Sequence, residues 1–406
     1  MAATVRTADL APSAASRSAD APPAPRNTLF PSYFLGGFEC SSHIYRTGGR
    51  QDYLALTHHD RLYREDYALV RSVGIRAIRD GLHWHLCDCR GRYDFDSVAP
   101  RVDAAQELGL VVLWDLFHYG YPDDLDPFDP CFPPRFADLA YHFARWLSAR
   151  VDGPRFYTPL NEPSFFSWAA GEAAWFAPFL SGRGWDVKVA MVRAGLAATD
   201  ALRAADPQAR LLSVDPVIHA APPVDSPDQV LAAARATALQ YQVWDMLAGL
   251  LAPELGGAPE YLDVIGVNHY LHSQYVFGTD VRLELDDSRR RPFRDLLVEV
   301  YTRYRRPMVV SETSCYQHLR PVWLRYIVDE CLAAMDLGVD LHGICLYPIV
   351  DIPSWNTGQL IEFGLWDLAR VDGVLRRVLN QPYLAELRRS QQRLAARQPR
   401  NPKSLV

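Results

Sequence analysis

Cysteine is scarce in this chain of 406 residues and odd in number: Cys40, Cys87, Cys89, Cys131, Cys315, Cys331 and Cys345. With no secretory context visible, that count excludes a disulfide framework as the organising device. Cys87-Asp88-Cys89 has no second Cys/His pair at zinc spacing, so no metal site is expected there. No apolar run approaches the roughly eighteen residues of a membrane span. Charge of one sign is missing too: 42 Lys and Arg stand against 48 Asp and Glu, a formal net charge of −6. Neither nucleic acid nor an anionic membrane is therefore expected as a partner. A glycine-rich phosphate loop is also absent. Gly36-Gly37 sits inside a strand-like run and Gly48-Gly49 lacks the spacing, which argues against a doubly wound dinucleotide-binding sheet.

Aromatic residues are plentiful, with 10 Trp, 20 Tyr and 17 Phe. They fill cores, and their faces also stack on the apolar C–H faces of sugar rings. Residues 1–28 are rich in Ala, Pro and Ser. They carry Arg6, Asp9, Arg17, Asp20 and Arg26 with no continuous apolar segment after the first charge. This segment is expected to be a disordered tail rather than a signal peptide, and the protein cytoplasmic. Residues 29–396 read as one domain and 397–406 as a C-terminal tail.

Within that domain strand-like and helix-like segments alternate. Strands are expected at 33–41, 75–84, 110–118, 156–162, 211–217, 262–270, 307–312 and 342–351. Helices are expected at 60–73, 98–108, 136–151, 187–205, 232–251, 293–304 and 321–337, with a last helix over 374–395. Eight near-continuous apolar strands with helices between them predict an α/β fold, a closed (β/α)8 barrel. Strands buried on both faces lose the alternating pattern of a half-exposed sheet.

Such barrels keep their chemistry at the C-terminal ends of the strands. Reading those ends gives Ser41, Ser42 and His43; Arg79, Asp80, His83 and Trp84; Asp115, His118 and Tyr119; Asn161 and Glu162; Asp215 and His219; Asn268, His269 and Tyr270; Glu312; and Tyr347, Asp351 and Trp355. Several have ordinary structural readings. Arg79 can pair with Asp80 or Asp115, and Asp215 and Asp351 can cap loops. Glu162 and Glu312 differ, because each ends a strongly apolar run where an unpartnered carboxylate is rarely placed. Two such carboxylates at one barrel mouth fit the pair that cleaves a glycosidic bond.

At these residues the chain resembles glycoside hydrolase family 1, in the clan of retaining barrel glycosidases. Thr158-Pro159-Leu160-Asn161-Glu162-Pro163 is similar to the family's T-F-N-E-P motif, and Val310-Ser311-Glu312-Thr313 to its T-E-N-G motif. Leu116-Phe117-His118-Tyr119 resembles L-Y-H-W, and Ile78-Arg79 through Trp84 resembles R-F-S-I-S-W. Ile265-Gly266-Val267-Asn268-His269-Tyr270 resembles I-G-L-N-Y-Y. Tyr347 to Trp355 and Phe363-Gly364-Leu365 echo W-S-L-x-D-N-x-E-W and R-F-G-L. These segments run in the family's order from about Phe34 to Leu365.

The resemblance implies a retaining β-glycosidase with Glu312 as nucleophile and Glu162 as acid/base. It implies Arg79, Trp84, His118, Asn161, Asn268, Tyr270, Tyr347 and Trp355 around a carbohydrate substrate, and no metal or organic cofactor. Two departures stand out. The family's sugar-binding Gln falls near Ser42 or His43, and its Glu before the last Trp falls at Ser354. The glycone pocket is therefore expected to be non-standard, with His43, Arg46, Asp80 and His83 as candidate readers of an unusual sugar. A transglycosidase on the same machinery, a sugar-binding protein without catalysis, and another family of the same clan remain as alternatives. The oligomeric state is not legible.

Overall fold

The computed structural model describes residues 29–224, 226–371 and 374–397. The expected tail at 1–28, and all of the expected tail at 397–406 except Arg397, lie outside the described residues.

Eight parallel strands close into a barrel. They are β1 (Phe34–Gly37), β2 (Ala77–Gly81), β3 (Val111–Phe117), β4 (Arg155–Leu160), β5 (Ala209–Pro216), β6 (Val264–Asn268), β7 (Met308–Thr313) and β8 (Leu341–Leu346). Sequential strands pair, and β8 closes on β1 with Phe34 opposite Ile344. Side chains alternate along a strand, so every second residue enters the barrel. Leu35, Ala77, Leu113, Phe156, Leu212, Val264, Val309 and Cys345, one from each strand, form that inner cluster with Phe30 and Tyr347. Their outward-facing neighbours, such as Phe34, Ile78, Trp114, Tyr157 and Val310, pack under the helices.

The helices of the outer layer are α1 (His59–Ser72), α2 (Ala99–Glu107), α3 (Phe132–Ser148), α4 (Pro163–Gly171), α5 (Gly184–Ala205), α6 (Val230–Ala238), α7 (Gln242–Leu247), α8 (Phe293–Tyr304), α9 (Arg320–Asp336) and α10 (Gln381–Ala395). Among the described residues no helix is long and apolar enough to cross a membrane.

Two expected helices are corrected. The one expected at 232–251 is split into α6, a 3-10 turn over Leu239–Tyr241, and α7. Gln240 is buried at the break, where its Oε1 accepts the Ile218 N–H at 3.0 Å. The helix expected from 374 begins later, at Gln381. Val374–Leu379 is instead a strand, β10, paired antiparallel with β9 (Trp366–Val371). Asn380 then caps α10 by accepting the Tyr383 N–H at 3.1 Å.

Candidate active site

Strand parity decides which polar groups reach the barrel axis. Arg79 lies two residues beyond Ala77, and Asp115 two beyond Leu113, so both point inward. Asp80 points the other way and meets Tyr67, His59 and Arg101 under the helices. A guanidinium has five N–H donors, and Arg79 uses them in four hydrogen bonds and an ion pair. Its Nε donates to Asp115 Oδ1 at 3.0 Å, and its Nη2 lies 2.8 Å from Asp115 Oδ2. That same Nη2 donates to Asn161 Oδ1 at 2.7 Å. Nη1 donates to Glu312 Oε1 at 2.7 Å and to the Ser311 carbonyl at 3.1 Å. The Tyr347 ring lies 5.2 Å from this cation, and a Cβ added at Gly37 would stand only 2.1 Å from it, so glycine is what lets the ring lie there.

Glu312 owes its direction to an irregularity. Val309 and Val310 face inward and outward respectively, so a regular β7 would turn Glu312 toward the helices. The pairing of β7 with β6 shifts register between Val310 and Glu312. Such a shift re-aims a side chain, and the Glu312 carboxylate lies over the mouth, where Tyr270 donates to its Oε2 at 2.6 Å.

Glu162 stands just past β4 with φ 43°, in the left-handed region, and is followed at once by α4. Tyr119, in the loop after β3, also has a positive φ of 66° and donates its hydroxyl to Glu162 Oε2 at 2.6 Å. Asn268 donates to Glu162 Oε1 at 2.9 Å, and Ser311 Oγ donates to Asn268 Oδ1 at 2.6 Å, which fixes that amide's orientation. Asn161 Nδ2 donates to the Tyr119 hydroxyl at 3.1 Å and lies 3.0 Å from His118 Nε2. His118 Nδ1 is 3.0 Å from Asp115 Oδ2. Arg79, Asn161, Glu162, His118, Asn268, Tyr270 and Glu312 thus form one continuous network.

Burial pushes the Glu312 carboxyl up to about 7. The Arg79 guanidinium pulls against that rise and the Glu162 charge adds to it. Burial raises the Glu162 carboxyl as well. Donation from Tyr119 and Asn268 opposes the rise, and the Asp215 charge adds to it. Burial works against the His118 proton, but Asp115 and Glu39 outweigh it and hold the imidazole's pKa above its ordinary value.

Beside this network stands an aromatic wall. Trp355 packs 5.2 Å from His43, 5.4 Å from Phe176 and 5.7 Å from Phe165, centroid to centroid. His43 is fully buried, and burial pushes its pKa down to about 3 against a hydrogen bond with Gln51. Trp84 is not brought to the mouth. Its indole N–H donates to Asp88 at 3.0 Å and its ring packs on Phe132 and Phe136 of α3, so it belongs to the outer core. Asp215 accepts the Ser164 N–H at the start of α4, and Asp351 accepts the Gly364 and Leu368 N–H groups, so both serve loops and helix ends. Cys315 is buried in the outer core.

Two clusters among the described residues have metal-ligand chemistry: Cys40, Asp115 and His118, and Asp52, His83 and His85. In the first, Asp115 is already gripped by the Arg79 cation. In the second, His83 Nδ1 and Asp52 Oδ2 pair at 3.0 Å. Sequence reading passed over Glu39, which lies within the strand expected at 33–41. β1 ends at Gly37, so Glu39 sits at the mouth, buried, with Oε1 3.7 Å from His118 Nε2.

In sequence, no family model and no curated protein matches the chain. In structure, it is similar to a hyperthermophilic β-glucosidase mutant that forms a dodecameric structure in the crystal. That likeness has a TM-score of 0.70 at 18% identity, covering 89% of this chain and 99% of that one. It is also similar to the β-glucosidase from Thermotoga maritima in complex with noeuromycin, at TM-score 0.68 and 16% identity, covering 91% and 99%. The same enzyme in complex with deoxynojirimycin gives TM-score 0.68 at 16% identity, covering 89% and 99%. At these identities the likeness is one of fold: this chain has the (β/α)8 barrel of those β-glucosidases, as its sequence motifs led one to expect.

Proposed function

We propose that this protein is a retaining β-glycosidase that hydrolyses O-glycosidic bonds by double displacement, with a glycone pocket of its own. The observation that carries the reading is the unequal setting of two buried carboxyls at one barrel mouth. Glu312 touches a guanidinium, whereas Glu162 touches only neutral donors.

Two coupled carboxyls titrate as a pair, and the proton belongs to the pair. A cation beside one member favours charge there, so the shared proton rests on Glu162 and the charge on Glu312. Glu312 attacks the anomeric carbon as the bond to the leaving oxygen breaks, and Glu162 gives that oxygen its proton. Glu162, now ionised, takes a proton from water, and the hydroxide displaces Glu312 from the sugar. Carboxyl groups about 5–5.5 Å apart suit this direct attack. Arg79 fixes Glu312 and Asn161 in one frame, which is the pre-organisation such chemistry needs. His118, Asn161, Asn268 and Tyr347 border the sugar site. Trp355 supplies a stacking face, and His43 lies behind it. The likeness to barrels crystallised with noeuromycin and deoxynojirimycin supports a small carbohydrate as substrate.

The test is the configuration of the first product. With an aryl β-glycoside that the protein cleaves, proton NMR in the first minutes should show the β-hemiacetal, with the α-anomer growing only by mutarotation. First appearance of the α-anomer would reject the double displacement.

A further inference from the structure

We infer that Glu39 is a glycone-binding residue, taking a hydrogen-bond-donating substituent of the sugar, a hydroxyl or an ammonium, at the barrel mouth. The inference rests on the glycosidase reading above.

The other buried carboxylates around the mouth and its loops are satisfied at both oxygens. Asp115 is held by Arg79 on both, Asp351 accepts two backbone N–H groups, Asp215 takes the N–H and hydroxyl of Ser164, and Glu162 and Glu312 each have two donors. Glu39 is not, and among the described residues Glu386 of α10, far from the mouth in sequence, also leaves one oxygen without a partner. The Glu39 Oε1 accepts the Ser41 N–H at 3.0 Å, while Oε2 has no hydrogen-bond partner among the described residues. Glu39 is buried as a residue, yet its Oε2 is not sealed in the interior, so it is an acceptor that a ligand entering the mouth can reach. Structural caps look like Asp351; Glu39 does not.

Polar groups around it also lack protein partners. The Ser41 hydroxyl and the Trp355 indole N–H nearby are buried without partners. The Glu39 charge is felt at the hydroxyls of Tyr53, Tyr119, Tyr270 and Tyr347, which places it among the groups that ring the mouth. Four carboxyls, Glu39, Asp115, Glu162 and Glu312, share that mouth with one guanidinium and one imidazole. The balance favours donors over acceptors on the sugar.

The experiment uses aryl β-glycosides that differ by one glycone substituent, including deoxy analogues and an aminodeoxy sugar. They are assayed with the wild type, Glu39→Gln and Glu39→Ala, with thermal melts as the folding control. On the substrate bearing the recognised group, both variants should lose at least about tenfold in kcat/KM, as expected for a hydrogen bond to a charged acceptor. On the analogue lacking that group the loss should shrink below about twofold. If the group is an amine, the preference of wild type over Glu39→Gln should fade as pH rises past the amine's pKa. If it is a hydroxyl, no such pH dependence should appear. An equal loss on every substrate, or no loss on any, overturns the inference and leaves the glycosidase reading standing. A folded wild type that cleaves no member of the panel and binds no deoxynojirimycin by calorimetry removes both.

Discussion

Tyr119 donates its hydroxyl to Glu162 at 2.6 Å, and both residues hold a left-handed backbone, with φ of 66° and 43°. Each such conformation costs a non-glycine residue on the order of 1–3 kcal/mol, and such residues gather at functional sites. Here the two strained residues face each other across one hydrogen bond. That bond opposes the rise of the Glu162 carboxyl. Tyr119→Phe therefore moves the Glu162 pKa further up. The alkaline limb of kcat/KM should shift to higher pH, and the rate at its optimum should fall about tenfold, the worth of one well-placed hydrogen bond. An unmoved limb in a folded variant would contradict this.

Arg79 neutralises two buried carboxylates at once. Arg79→Met leaves Asp115 and Glu312 without their cation and should cost about 3–5 kcal/mol of stability. Without the guanidinium the Glu312 carboxyl rises further and stays protonated, so turnover should be lost as well. Arg79→Lys, a single point charge, cannot reproduce the five-donor fork and should remain inactive while recovering part of the stability. Denaturant unfolding and steady-state assays together check both claims.

Burial raises both carboxyls of the Glu162–Glu312 pair, Glu312 to about 7, so the proton that the pair shares links folding to pH. The native state holds this proton more tightly than the unfolded chain does. Its contribution to stability is therefore full below about 4.5 and is lost as pH rises through 7. Glu312→Gln removes one of the two buried carboxyls and so weakens that dependence. Its melting temperature should exceed the wild type's at pH 8, and the difference should close as pH falls toward 4.5. A constant difference across that window would place the linkage outside the Glu162–Glu312 pair.

Trp84 is part of the core rather than the site. Trp84→Ala should destabilise the fold by about 3–5 kcal/mol. Below its melting temperature the variant should keep kcat/KM within about twofold of the wild type. A selective rise in KM on a stable Trp84→Phe protein would return this residue to the pocket.

The eight strands are legible in sequence for a physical reason: burial on both faces leaves continuous apolar runs such as Met308 to Val310 and Val264 to Val267, which helices interrupt. Glu162 and Glu312 are legible because a carboxylate at the end of such a run contradicts its surroundings. What escaped depends on tertiary geometry. Glu39 looks like a stray acid within an apolar strand until β1 is seen to end at Gly37. Trp84 sits where a motif expects a sugar contact, yet Asp88, Phe132 and Phe136 supply its partners from elsewhere. The β9–β10 pair carries a sequence signal, Asp372-Gly373 between two runs rich in Val and Leu. The helical spacing of Leu375, Val378 and Leu379 competes with it. Gln240 breaks a helix through a bond to Ile218, a contact that local propensity cannot anticipate.

The most direct measurement is azide rescue of the two alanine variants on an aryl β-glycoside. Glu312→Ala should be inactive alone. With azide it should regain turnover and yield the α-glycosyl azide, because azide then attacks from the side the carboxylate occupied. Glu162→Ala, given a substrate whose leaving group needs no proton, should yield the β-glycosyl azide by attack on the covalent intermediate. Exchange of these two products, or rescue of neither variant on a substrate the wild type cleaves, would contradict the assignment of Glu312 as nucleophile and Glu162 as acid/base.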